Sequence, residues 1–142
     1  MKNPEKILVI AMPYLGDVLL ATPLIHSLRL AYPEAQIDAL VFKNTRIMLE
    51  GNPDISNVIP VQQRSTLREK WQVIWKIFRR YNRVFTLPTN DRAFLYSLLA
   101  APLRINAVPP KPGTGWWKRF FVRSWVEFDG DKTHTVLQHL KL

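Results

Sequence analysis

The chain of 142 residues carries 20 Lys and Arg against 11 Asp and Glu, a net charge of +9, with 47% hydrophobic and 22% charged residues. Those proportions fit one folded domain and exclude wholesale disorder. Zero Cys excludes disulfides and thiolate metal sites and fits a reducing compartment. Three scattered His (His26, His134 and His139) argue against a histidine metal cage. The longest apolar run, Ile7 to Met12, is too short for a membrane span or a signal sequence, so a soluble, cytoplasmic chain is expected. Charge is unevenly spread: residues 1–60 hold five basic and six acidic side chains, residues 61–142 fifteen and five. The excess positive charge lies in the second part, which points either to a polyanionic partner there or to a solvated basic surface.

Lys6 to Met12 reads as a strand covered on both faces. Pro13 to Asp17 is a turn, and Asp17 is placed to cap a helix running to about Tyr32, with Leu20, Leu24 and Leu28 on one face and Pro23 kinking or delaying it. Gln36 to Phe42 is a second strand, Asn44 to Glu50 a short helix closed by Gly51, and Asn57 to Val61 a third strand. Ser65 or Thr66 opens a long amphipathic helix to about Arg80, whose apolar stripe is Leu67, Trp71, Ile74 and Phe78. Arg83 to Leu87 is a fourth strand, Asp91 to Ala101 a helix and Arg104 to Val108 a fifth strand. Residues 109–115 form a loop by composition, Trp116 to Phe128 shows no clear period, and a last helix begins near Thr133.

Alternating strands and helices joined by right-handed crossovers predict an α/β fold: an open, mostly parallel sheet with helices on both faces. Ligands bind such sheets beyond the C-terminal strand ends, which makes residues 13–17, 43–45, 62–66 and 88–92 the functional rim. The first loop holds no G-x-G-x-x-G and no Walker sequence, so dinucleotide binding at strand one is disfavoured. It does offer Asp17, either a helix cap or a general base. Arg64, Arg68 and Lys70 cluster around a helix start, and Arg92 holds the matching place after strand four. Singly these are surface charges; together on one rim they could read a phosphate or carboxylate. Trp116 to Trp125 interleaves aromatic and basic residues. Three roles fit that pattern: stacking on bases, an anionic membrane surface, or core aromatics with exposed cations between them.

The opening Ile7-Leu-Val-Ile-Ala-Met-Pro-Tyr-Leu-Gly-Asp-Val-Leu-Leu-Ala-Thr-Pro-Leu-Ile25 resembles that of the lipopolysaccharide heptosyltransferases, glycosyltransferase family 9. The likeness continues through Leu28 to Asp38 and Glu50 to Ile59, and more weakly through Tyr81 to Phe85 and the His134 region. The resemblance implies a Rossmann-like domain that forms the N-terminal, acceptor-binding half of a GT-B fold. Residues 1–142 would be that single domain, with the nucleotide-sugar-binding domain absent from the chain. It implies an inverting, metal-free transfer of heptose from ADP-heptose to the lipopolysaccharide inner core. The donor is then a substrate, and no cofactor is expected. The loop and the long helix are somewhat similar to the branch of the family that adds a later, side-branch heptose.

By the same resemblance Asp17 matches the proposed catalytic base. Arg64 and Arg68 fall where the family carries basic residues toward its acidic acceptor; with them Gly16, beside Asp17, and Arg92, by its place on the rim, are the expected acceptor-side contacts, and peripheral association with the inner face of an anionic membrane is a further expectation. Two departures bear on the acceptor. Ala11 stands where the family carries Lys or Arg, and Pro13-Tyr14 where it has small polar residues. The competing class is a non-enzymatic basic α/β module binding nucleic acid or an anionic membrane; within the transferase reading nucleic acid is not an expected partner.

Overall fold

The computed structural model describes residues 4–12, 14–88, 90–108, 116–121 and 123–127. Six strands, β1 (Lys6–Ile10), β2 (Gln36–Phe42), β3 (Asn57–Val61), β4 (Arg83–Thr86), β5 (Leu103–Val108) and β6 (Ser124–Glu127), form one sheet in the order β3-β2-β1-β4-β5-β6. Every pairing is parallel. The expected α/β fold with helices on both faces is therefore present, and the strand order is that of the Rossmann-type sheets.

The unbroken apolar run of β1 follows from its central place. Ile7, Val9 and Ala11 face one core with Val18, Leu24, Ile25 and Leu28. Leu8, Ile10 and Met12 face the other with Val73, Ile77, Tyr96 and Ala100. Both faces of β1 are buried, so period-two alternation gives way to continuous hydrophobicity. Pro60 is tolerated because β3 lies at the sheet edge.

The helix expected from Asp17 to Tyr32 is two helices, α1 (Leu15–Leu20) and α2 (Thr22–Ala31), with Pro23 in the first turn of α2, where its missing N–H costs nothing. The expected helix over 44–50 is a 3-10 turn, Arg46–Met48, followed by Gly51 at φ +80°. α3 (Leu67–Ile77) starts at Thr66, whose Oγ accepts from the Glu69 amide while the Glu69 carboxylate accepts from the Thr66 amide. α4 (Asp91–Ala100) is capped by Asn90, which accepts from the Ala93 amide.

One expectation fails. The stripe Leu67, Trp71, Ile74 and Phe78 does not face the core: α3 buries Val73 and Ile77, while Leu67, Trp71 and Phe78 are exposed. The helix has apolar residues over more than half its circumference, and the sheet takes only one side of them. The aperiodic segment after residue 115 is a 3-10 helix, Trp116–Phe121, leading into β6, a short edge strand whose pairing with β5 no local period announces. The loop 109–115, the helix expected near Thr133 and His134 lie outside the described residues.

Candidate functional site

In the order 3-2-1-4-5-6 the crevice for ligands opens where β1 and β4 lie side by side and their chains leave toward opposite faces. Leu87 N donates to the Ile10 carbonyl just beyond those strand ends. From β1 the chain enters α1, which packs through Val18 on the α1/α2 face. From β4 it enters α4 on the other face.

Asp17 sits in the first turn of α1, the third residue of that helix. The cap position belongs to Tyr14, in extended backbone and without a side-chain cap bond, so the capping role considered for Asp17 is not the one it has. Its side chain is half-buried and makes no hydrogen bond or ion pair among the described residues. Gly16 beside it needs no glycine-only backbone angle, and a Cβ there would meet no atom within 4 Å. Packing therefore gives no reason for glycine, whose missing side chain leaves open space next to the carboxylate.

The cations divide into two kinds. Arg92 is engaged: Nη1 donates to the Gln63 carbonyl (2.9 Å), Nη2 to the Gln62 carbonyl (2.8 Å) and Ser65 Oγ (2.9 Å), and Nε to the Tyr96 hydroxyl (3.2 Å). Its guanidinium also lies 5.5 Å from the Phe42 ring centroid. Arg92 is thus a clamp that ties the β3–α3 loop to α4 over the end of β2, with four of its five N–H groups spoken for. Arg64 lies in that clamped loop and Arg68 in the first turn of α3, both exposed and without a side-chain partner among the described residues. Lys43, the residue after β2, is exposed in the same way, and its amide donates to the Val61 carbonyl, which joins the β2 and β3 loops. Lys43 was not singled out from the sequence; its place directly after a strand on the rim was the available signal. The fold brings Asp17, Lys43, Arg64 and Arg92 to one end of the sheet, and no described contact joins Asp17 to the cations.

The Trp116–Trp125 segment differs from the pattern of core aromatics with exposed cations. Trp117 is partly exposed and packs edge-on against Phe94 (5.4 Å between centroids) and Phe121 (6.0 Å). Lys118 is the buried member, its Nζ 2.7 Å from the Asp91 carboxylate and 5.4 Å from the Phe94 centroid. The segment fastens β6 to the first turn of α4. Among the described residues, no group of three or more His, Asp or Glu could hold a metal ion, and no helix is long and apolar enough to cross a membrane.

No family model matches the chain. Lipopolysaccharide heptosyltransferase 3 of Escherichia coli K12 is 30% identical over 118 residues, 78% of this chain and 34% of that protein. The chain thus spans about a third of the length of this relative. Among solved structures, a family 9 glycosyl transferase of Veillonella parvula superposes with a TM-score of 0.82 at 22% identity, covering 96% of this chain and 39% of that one. The E. coli heptosyltransferase WaaC with ADP superposes at 0.78 and 16% identity, over 96% and 46%. These structural likenesses establish the fold, and the sequence match gives the kinship: this chain is a homologue of the lipopolysaccharide heptosyltransferases of glycosyltransferase family 9.

Proposed function

We propose that the chain forms the acceptor-binding half of an inverting heptosyltransferase that moves heptose from ADP-heptose to the lipopolysaccharide inner core. The observation that carries this reading is Asp17, a half-buried carboxylate without a partner among the described residues, at the crevice between β1 and β4 with open space beside it at Gly16. The kinship supplies the reaction class, and an E. coli structural neighbour solved with ADP supports a nucleotide-sugar donor.

In this mechanism Asp17 takes the proton of an acceptor hydroxyl as that oxygen attacks the anomeric carbon. The bond to the ADP leaving group breaks on the opposite side, which inverts the centre. The residues on this chain bind and orient the acceptor. Lys43, Arg64 and Arg68, exposed and without a side-chain partner among the described residues, offer cations to its anionic groups, and Arg92 holds the Arg64 loop in place without meeting the acceptor. The donor is bound by the part of the full-length protein beyond these residues.

The test is Asp17→Asn in the full-length protein that carries this sequence. Asn keeps the size and loses the basicity, and the Asp17 side chain holds no hydrogen bond among the described residues, so the melting temperature stays within about 2–4 °C of the parent, as for a change below about 1 kcal/mol. The kcat falls about 10²–10⁴-fold. A folded variant that keeps more than about a tenth of the parent kcat removes Asp17 from the role of base.

A further inference from the structure

Three polar side chains are enclosed in the layer between the sheet and α4. Thr86, the last residue of β4, is 0% exposed, Ser97 of α4 0% and Asn106 of β5 2%. Thr86 and Asn106 stand side by side in the parallel register of the two strands. Both take the α4 face. Val84, two residues before Thr86, packs in the cluster with Tyr96 and Ala100, and Asn106 Nδ2 donates to Ser97 Oγ at 3.3 Å. Ser97 Oγ in turn donates to the Phe94 carbonyl at 2.7 Å.

The hydrogen bonds of this seam do not close within the protein. Thr86 Oγ1 and Asn106 Oδ1 are buried, and neither has a partner among the described residues, each other included. Turning the Asn106 amide over exchanges the end that is short of a partner and leaves the shortfall, because the Ser97 hydroxyl spends its proton on Phe94. One buried polar atom without a partner is uncommon in a folded protein; two on neighbouring strands point to a partner they share. Packing does not ask for the hydroxyl at position 86, since Val has the shape of Thr and nothing to satisfy.

We propose that this seam is the binding site of a single internal water molecule held between β4, β5 and α4. The water accepts the Thr86 hydroxyl proton and donates one hydrogen to Asn106 Oδ1. Its second hydrogen goes to the lone pair of Ser97 Oγ that Asn106 Nδ2 does not use. That makes three bonds, the usual number for a buried water. The spacing agrees. Neighbouring strands stand about 4.8 Å apart, a span that one water bridges at about 2.8 Å from a group on each. An ion is the poorer occupant, because these three side chains carry no charge to offset its own. The site fastens the end of β4 to the helix above it, one residue before Leu87, whose amide donates to the Ile10 carbonyl at the crevice. It stands whether or not Asp17 is a base.

The test is a set of crystal structures of the full-length protein that carries this sequence, as parent, Thr86→Val and Thr86→Ser, at a resolution that places ordered waters. The parent holds one water within about 3.2 Å of both Thr86 Oγ1 and Asn106 Oδ1. Thr86→Ser keeps that water and Thr86→Val loses it. In solution, magnetisation transfer from a long-lived water to the Asn106 side-chain amide is present in the parent and in Thr86→Ser and is lost in Thr86→Val. A direct Thr86–Asn106 hydrogen bond in the parent overturns the proposal, as do two atoms that remain without any partner there. The same water in parent and Thr86→Val also overturns it, because Thr86 is then no part of the site. The parent structure alone decides the first two outcomes, so the test survives a variant that fails to fold.

Discussion

Arg92 shows how one side chain changes meaning between sequence and structure. By position it belongs with Arg64 as a cation facing a ligand; in the fold its guanidinium is taken by the carbonyls of Gln62 and Gln63, by Ser65 and by Tyr96. A planar fork suits this set and an ammonium does not. Arg92→Lys therefore loosens the loop, lowering stability by about 2 kcal/mol and removing hydrogen-exchange protection from residues 62–66. In the full-length protein it raises the acceptor KM through the displaced Arg64, an effect that Arg64→Gln reproduces without the loss of stability. An unchanged melt and unchanged exchange in Arg92→Lys would remove the clamp. Sequence could bring Arg92 to the rim, because a βα junction fixes its place. It could not show that backbone carbonyls from a loop 30 residues away had already claimed it, since carbonyls leave no trace in residue identity. Asp17 is the converse case: its position was legible from Gly16-Asp17 after an apolar run, and its lack of a partner among the described residues came only with the fold.

Between elements, the buried carboxylate of Asp38 gathers three others. It accepts from Gln36 Nε2 and Asn57 Nδ2, each at 2.9 Å, and from the Tyr81 hydroxyl at 2.7 Å. This joins β2 to β3 and to the turn before β4, at the sheet end opposite the rim. Burial first, and then the hydrogen bond to Asp38, push the Tyr81 hydroxyl above the usual tyrosine range. The unfolded phenol ionises near pH 10 while the folded one keeps its proton. Its contribution is thus complete below about pH 10 and is lost as pH rises toward the folded value, by up to about 1.4 kcal/mol per pH unit. Tyr81→Phe should be less stable than the parent at neutral pH by about 1–2 kcal/mol, because Asp38 loses a donor. It should also fall less steeply above pH 10 in denaturant titrations; parallel slopes would remove Tyr81 as the alkaline trigger. Periodicity exposed the elements themselves, and β2 and β3 have the predicted bounds. It misled at α3, because a spacing of three and four says which residues share a face and nothing about which way that face turns. Val73 and Ile77, spaced by four, carried the same signal more quietly than two tryptophans.

For the whole molecule, the strand order and the rim cations together look like an invitation to a nucleotide, and the local chemistry argues the other way. A diphosphate in the β1–β4 crevice of such a sheet rests on a glycine-rich first turn whose amides face it. Here that turn offers Gly16 and, directly after it, the carboxylate of Asp17, which repels a second anion at the same spot. Lys43, Arg64 and Arg68 follow β2 and β3, and Arg92 has spent four of its five N–H groups on the β3–α3 loop and Tyr96. The 142-residue chain should therefore bind ADP more weakly than about 1 mM, a free energy of no more than about 4 kcal/mol. Titration calorimetry of the chain with ADP checks this directly. A micromolar dissociation constant would place the nucleotide in this domain, and Asp17 would then face the leaving group it should repel. A featureless titration leaves the crevice to an acceptor whose hydroxyl, unlike a phosphate, gains from meeting a carboxylate.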